Sequence, residues 1–165
     1  MAAVLTYTTY EDVRAVLGIS DDDLEDAALD LGVYAGDLYL ALTEISEDLP
    51  ALYVTKKAIA EGSRTSDEQK FVLLVSRFAT YQVARQSGAA ILMGAQKITD
   101  GKAEMARFTS SPYKDLLDRV EAEYARVRRL LENVFATLTG GDTVANPAAT
   151  LLVGAKPAVD RVTNA

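Results

Sequence analysis

Apolar residues in this chain recur mostly at helical spacing. TTYEDVRAVLG opens with Thr8 or Thr9 as a cap and Glu11 or Asp12 three residues on, followed by Val13, Val16 and Leu17 on one face and Gly18 as the stop. In ISDDDLEDAALDLGVY, Ser20 can cap a short turn or helix, and the alternation of LDLGVY around Gly32 predicts a brief extended link. A second helix is expected over Tyr34–Ser46, with Leu38, Leu42 and Ile45 on one face and Tyr39 beside them. Pro50 limits ALYVTKKAIAEG on its N-terminal side and leaves room for a short helix. TSDEQKFVLLVSRFATYQVARQS begins with a cap at Thr65 or Ser66 and carries Phe71, Leu74, Val75, Phe78, Tyr81 and Val83. It predicts a long helix from about Asp67 to Ser87, extending toward Met93.

Gly88 and Gly94 bracket AAILM, and Asp100-Gly101 is a turn signal. QKIT and AEMARFT, within 96–109, can pair as a small hairpin or form one loop. Ser110 or Ser111 with Pro112 starts a last helix. Its apolar stripe runs Tyr113, Leu116, Leu117, Val120, Tyr124, Val127, Leu131, Val134 and Leu138, and Gly140-Gly141 ends it. The expected fold is mainly α. A bundle of about four helices spans 1–138, with a hairpin or long loop between the two long helices. Residues 139–165 have no helical or strand period and form an extended C-terminal tail.

Composition narrows the chemistry. Of 165 residues, 49% are hydrophobic and 25% charged, which suits one globular domain. No stretch approaches the apolar length of a membrane span. The opening MAAVLTYTTYEDVR has no basic region followed by an apolar run, so no secretory signal is expected. There is no cysteine and no histidine. Thiolate nucleophiles, disulfides and Cys zinc sites are excluded, and the commonest general base is missing. No catalytic residues, cofactor or metal are expected.

Net charge is −7, unevenly spread. Residues 1–50 hold twelve acids and one base, Arg14, whereas residues 51–165 hold twelve acids and sixteen bases. This gives either two differently charged ends or a solvated acidic face. The overall sign argues against tight wrapping of nucleic acid, though not against lining a passage through which DNA slides.

Three motifs invite chemistry and fall short. DDDLED at 21–26 would start a calcium loop, but position six is Asp26 rather than Gly and position twelve is Gly32 rather than Glu. Capping and solubility explain the run better. GAAILMGAQK and GKAEM lack the GxxxxGK[ST] order of a phosphate loop. ARVRR places Arg126 and Arg129 on a face away from the apolar stripe, with Glu121, Glu123 and Glu132 one turn from members of the cluster. A salt-bridged solvated face, phosphate binding and an oligomer interface all remain open there.

Taken in order, TTYEDVRAVLGISDDDLEDAALDL, the Tyr- and Leu-bearing helix, TSDEQKFVLLVSRFATYQVA, the ITDGKAEMARF turn and SPYKDLLDRVEAEYARVRRLLE resemble the head-to-tail connector proteins of tailed bacteriophages, also called adaptor or head-completion proteins. The likeness covers roughly residues 8–138, and its motifs are soft; their order and spacing carry it. The resemblance implies a helical protein without catalysis. It would be made in the bacterial host cytoplasm and would assemble as a ring, typically dodecameric, below the portal at the capsid vertex of the virion. The implied partners are the portal protein, downstream neck or tail proteins and further copies of the chain. Double-stranded DNA would pass through without specific binding.

The resemblance also implies a C-terminal segment that docks on the portal. Leu151, Leu152, Val153 and Val159 are its apolar anchors, with Lys156, Pro157 and Arg161 alongside. Pro147 and Pro157 limit any strand addition by TLLV. Lys102, Met105, Arg107, Phe108, Arg126 and Arg129 are the expected contacts between copies. Asp21, Asp22, Asp23, Glu25 and Asp26 are the candidates for an acidic lumen that repels phosphates. Alternative readings are another neck or tail-completion protein, a cellular helical-bundle binding module, and an enzyme using the carboxylates of 21–26.

Overall fold

The computed structural model describes residues 4–98 and 112–140, with side chains described for 4–88 and 114–140. Among these residues there are six α-helices and no strands, in keeping with a mainly-α bundle. They are α1 (Tyr10–Leu17), α2 (Asp26–Leu29), α3 (Gly32–Ile45), α4 (Leu49–Ala58), α5 (Ser66–Ile98) and α6 (Pro112–Thr139). Single 3₁₀ turns sit at Val4–Thr6 and Glu61–Ser63.

Local chemistry sets the helix ends. Thr9 caps α1: its Oγ1 accepts from the Asp12 N–H at 3.1 Å. Gly18 closes it at φ 67°, in the left-handed region where a side chain is strained. At the start of α5, Thr65 and Glu68 cap each other reciprocally. The Glu68 N–H donates to Thr65 Oγ1 at 3.3 Å, and the Thr65 N–H donates to Glu68 Oε2 at 2.8 Å. Gly140, at φ 70°, follows the last turn of α6.

The long antiparallel pair α5 and α6 forms the spine, with Phe71, Val75, Phe78 and Val83 facing Val120, Tyr124, Val127 and Leu131. The Phe78 and Tyr124 rings lie 5.2 Å apart, and Phe71 meets Phe135 at 6.3 Å. Helices α1, α3 and α4 cover α5 through Val13, Leu17, Leu38, Leu42, Leu49 and Tyr53. The N-terminal segment is pinned by hydroxyls. Ser76 Oγ donates to the Tyr7 carbonyl at 2.5 Å, and the buried Thr8 and Thr80 hydroxyls meet at 2.6 Å. Thr80 Oγ1 donates to the Ser76 carbonyl at 3.0 Å, which leaves Thr8 as the donor in that pair.

Several expectations need correction. The two short elements that the sequence left open are helical, one-turn α2 and the ten-residue α4, which brings the described helices to six. LDLGVY is no extended link: Leu29 ends α2, and Gly32 already opens α3. Only Leu31 keeps extended backbone, at ψ 131°, and a glycine in a first turn interrupts no completed ladder. Pro50 lies inside the first turn of α4, where its missing N–H has no partner to lose.

Helix α5 runs through Gly88 and Gly94 to Ile98, so Gln96–Ile98, expected in a hairpin or loop, are helical. Gly88 explains part of this. A Cβ there would lie 2.8 Å from Leu117 Cδ2 and 3.1 Å from Leu17 Cδ2, so the glycine allows α1 and α6 to approach a continuous helix. The rest of 96–109 and the tail 141–165 lie outside the described residues.

Candidate functional site

A groove of about 480 Å³ opens between α3, α5 and α6. Its α3 wall is the stripe Asp37, Leu40, Ala41 and Glu44. Its floor on α5 is Gln82, Arg85 and Gln86, and Glu121, Tyr124 and Arg128 close it from α6. Positions three, four and seven apart share a helix face, which is why each wall comes from so short a stretch.

The two bases in this groove are already engaged. Arg85 lies over the Tyr124 ring at 4.6 Å and pairs with Glu121 at 3.5 Å. Arg128 pairs with Glu132 at 3.1 Å along α6 and with Glu44 at 3.5 Å across to α3. The Glu132 hydrogen bond is the main reason the Arg128 guanidinium holds its proton more firmly than usual. Gln86 Nε2 donates to Asp37 Oδ2 at 2.8 Å.

Two acceptors remain. Gln82 Oε1 and Gln86 Oε1 are buried with no hydrogen-bond partner among the described residues, and Gln82 as a whole is 5% exposed. An unpaired buried amide oxygen is costly to the fold. The carboxylates in the groove face arginines or an amide.

In the acidic run at 21–26, residues 21–23 form an exposed turn, Leu24 is buried, and Asp26 opens α2. Asp23 Oδ2 accepts from the Ser20 N–H at 3.0 Å and from its hydroxyl at 2.8 Å. The Ser20 N–H is the leading reason that the Asp23 carboxyl titrates below its ordinary value. Asp26 pairs with Arg14. Asp21, Asp22 and Glu25 are exposed. Among the described residues no group of His, Cys, Asp or Glu is placed to hold a metal ion, and no helix is long and apolar enough to cross a membrane.

Arg126 and Arg129 are exposed on α6, away from its core stripe. Arg126 pairs with Glu123 at 3.3 Å. Arg129, and Arg119 on the same outer face, have no ion pair among the described residues. Glu121 reaches across to Arg85 rather than serving the ARVRR cluster. Lys102, Met105, Arg107 and Phe108 lie outside the described residues, as do Leu151, Leu152, Val153, Lys156, Pro157, Val159 and Arg161. Gln82, Arg85 and Gln86 were not singled out from sequence. Their signal was a pair of glutamines four apart on the core side of an otherwise apolar stretch.

No family model, curated protein or solved structure matches this chain.

Proposed function

We propose that this chain is a structural adaptor of a tailed phage virion. Copies assemble as a ring below the portal, join the DNA-filled head to the tail and continue the DNA channel. The observation that carries the self-assembly is the outer face of α3. That helix has two charges in fourteen residues, and it is apolar on both its sides. Leu38, Ala41 and Leu42 are buried in the bundle, while Val33 and Leu40 are 57% and 60% exposed, with Tyr39 and the preceding Leu31 also exposed. Exposed apolar side chains grouped on one helix favour a second protein surface that covers them.

The remaining support is the ordered set of soft motifs and the missing histidine and cysteine, which leave little for catalysis. The acidic turn at Asp21, Asp22, Asp23, Glu25 and Asp26 faces the lumen in this reading and keeps phosphates from sticking. The segment after Gly140 docks on the portal, which supplies the apolar surface that Leu151, Leu152, Val153 and Val159 need.

The test is negative-stain electron microscopy of the portal protein from the same particle, mixed with the 165-residue chain or with a chain ending at Gly140. A ring added by the first and missing with the second supports both the adaptor and the docking tail. A ring from both keeps the adaptor and moves portal binding to the bundle. No added density from either rejects the reading.

A further inference from the structure

We propose that residues 150–153, TLLV, fold back in the free chain over the exposed face of α3, and that giving this segment up to the portal uncovers α3 for a neighbouring copy. The fold-back stands on the geometry of the bundle; the release rests on the adaptor reading.

The face is an unfinished surface. Val33 and Leu40 are seven residues apart and share one side of α3, with exposed Tyr39 and Leu31 nearby. The helix satisfies its own backbone, so whatever covers this side does so through apolar side chains.

The placement of α3 against the end of α6 decides what can reach it. Asp37 meets Gln86 next to the Arg85–Glu121 pair, and Glu44 meets Arg128. Asp37 to Glu44 and Glu121 to Arg128 are both steps of seven residues, so α3 and α6 run parallel and in step. Leu40 then stands level with Tyr124, sixteen residues before Gly140, and Val33 level with Leu117, twenty-three before it. At about 1.5 Å of rise per residue, those levels lie about 24 Å and about 35 Å back from Gly140. Gly140 follows α6 at φ 70°, the left-handed conformation that takes a chain off the helix axis.

The length of chain after Gly140 selects the segment. An extended chain covers at most about 3.3–3.6 Å per residue, so Leu151, eleven residues on, lies at most about 36–40 Å away. Leu151 reaches Leu40 with slack, and Val153 reaches Val33. Val144, four residues on, falls short of both. LLV is also the one run of three large apolar residues in 141–165. Pro147 biases Asn146 toward extended backbone, which keeps the link long. Tethering raises the effective concentration of the segment to the order of mM, so a contact too weak to hold a separate peptide still closes. A portal sheet edge that takes TLLV as a strand adds main-chain hydrogen bonds that α3 does not offer, and so wins the segment. Self-assembly through α3 is thereby confined to the portal.

The chain has no cysteine, so Gly154→Cys carries a single nitroxide beside TLLV. Its effect is read on the amide signals of the dilute full chain. The expected result is broadening at Val33 and Leu40 with the α1 amides spared, lost when Leu151→Asp and Leu152→Asp are added. Broadening absent from α3 would overturn the fold-back and leave the adaptor reading standing. Equal broadening of an unlabelled chain mixed with the labelled one would give the face to the tail of a second copy and also overturn it. The release is tested by sedimentation without portal. The full chain with Leu151→Asp and Leu152→Asp is expected to self-associate at roughly tenfold lower concentration than the unaltered chain, as removing a cover closed about nine-tenths of the time requires. Adding Leu40→Asp abolishes that association, while circular dichroism shows the helices intact. Broadening at α3 without the gain in association would retain the fold-back and overturn the release, along with the use of α3 in self-assembly.

Discussion

Arg14, the single base among the first fifty residues, is tied to Asp26 across the acidic turn. The arginine is 9% exposed, and its Nε also donates to the Leu24 carbonyl at 2.8 Å. One side chain thus holds the loop between α1 and α2 against the bundle. Arg14→Leu removes both bonds and leaves the carbonyl without its donor, so a loss of about 1–3 kcal/mol is expected. Asp26→Asn keeps an acceptor near Arg14 and is expected to lose less. Urea unfolding midpoints of the two variants check the order.

The start of α5 predicts an acid-sensitive contribution to stability. Glu68 accepts from Lys56 Nζ at 2.6 Å as well as from the Thr65 N–H, and the Lys56 bond is the leading cause of its lowered pKa. A carboxyl with a folded-state value below its unfolded value stabilises the fold above the unfolded value, which is ordinarily 4.5. That contribution fades as pH falls from there through the lowered value. Glu68→Gln is expected to flatten this part of the pH profile, measured as unfolding midpoints from about pH 6 down to about pH 3. Thr65→Ala removes the reciprocal cap and is expected to lose about 1 kcal/mol at neutral pH.

Gly88 tests how tightly three helices meet. Gly88→Ala improves helix propensity by about 1 kcal/mol but brings a methyl to 2.8 Å from Leu117 Cδ2 and 3.1 Å from Leu17 Cδ2. Both obstacles are ends of leucine side chains. Leu117 is half-buried and can swing; Leu17 is buried and yields less. Near-neutral stability is expected for alanine. Gly88→Val adds methyls with nowhere to go and is expected to lose about 1–3 kcal/mol by thermal unfolding.

The helices legible in sequence were those whose apolar stripe lasts several turns. The stripe of α6 is buried at Val120, Tyr124, Val127 and Leu131, and Thr9 and Gly18 delimit α1 as their chemistry demands. Boundaries failed where one residue type carries two meanings. Gly32 reads as a link but opens a helix, and Gly88 reads as a bracket but permits close packing. Phe135, packed on Phe71, was not in the expected stripe. The groove was illegible because its walls come from three helices far apart in sequence. Gln82 and Gln86 look like ordinary polar positions until Asp37 and Arg128 are placed beside them.

Gln82 tests what a sealed, unpaired polar atom costs the fold. Its amide oxygen is buried without a partner among the described residues, so an isolated copy carries an unmet acceptor. Gln82→Met is close in volume and removes that acceptor along with the rest of the amide. The isolated variant is expected to gain about 1 kcal/mol, which raises the thermal midpoint of a domain this size by about 2–4 °C. A fall in the midpoint would instead mark Gln82 as a residue whose amide the folded chain satisfies or whose shape the core requires.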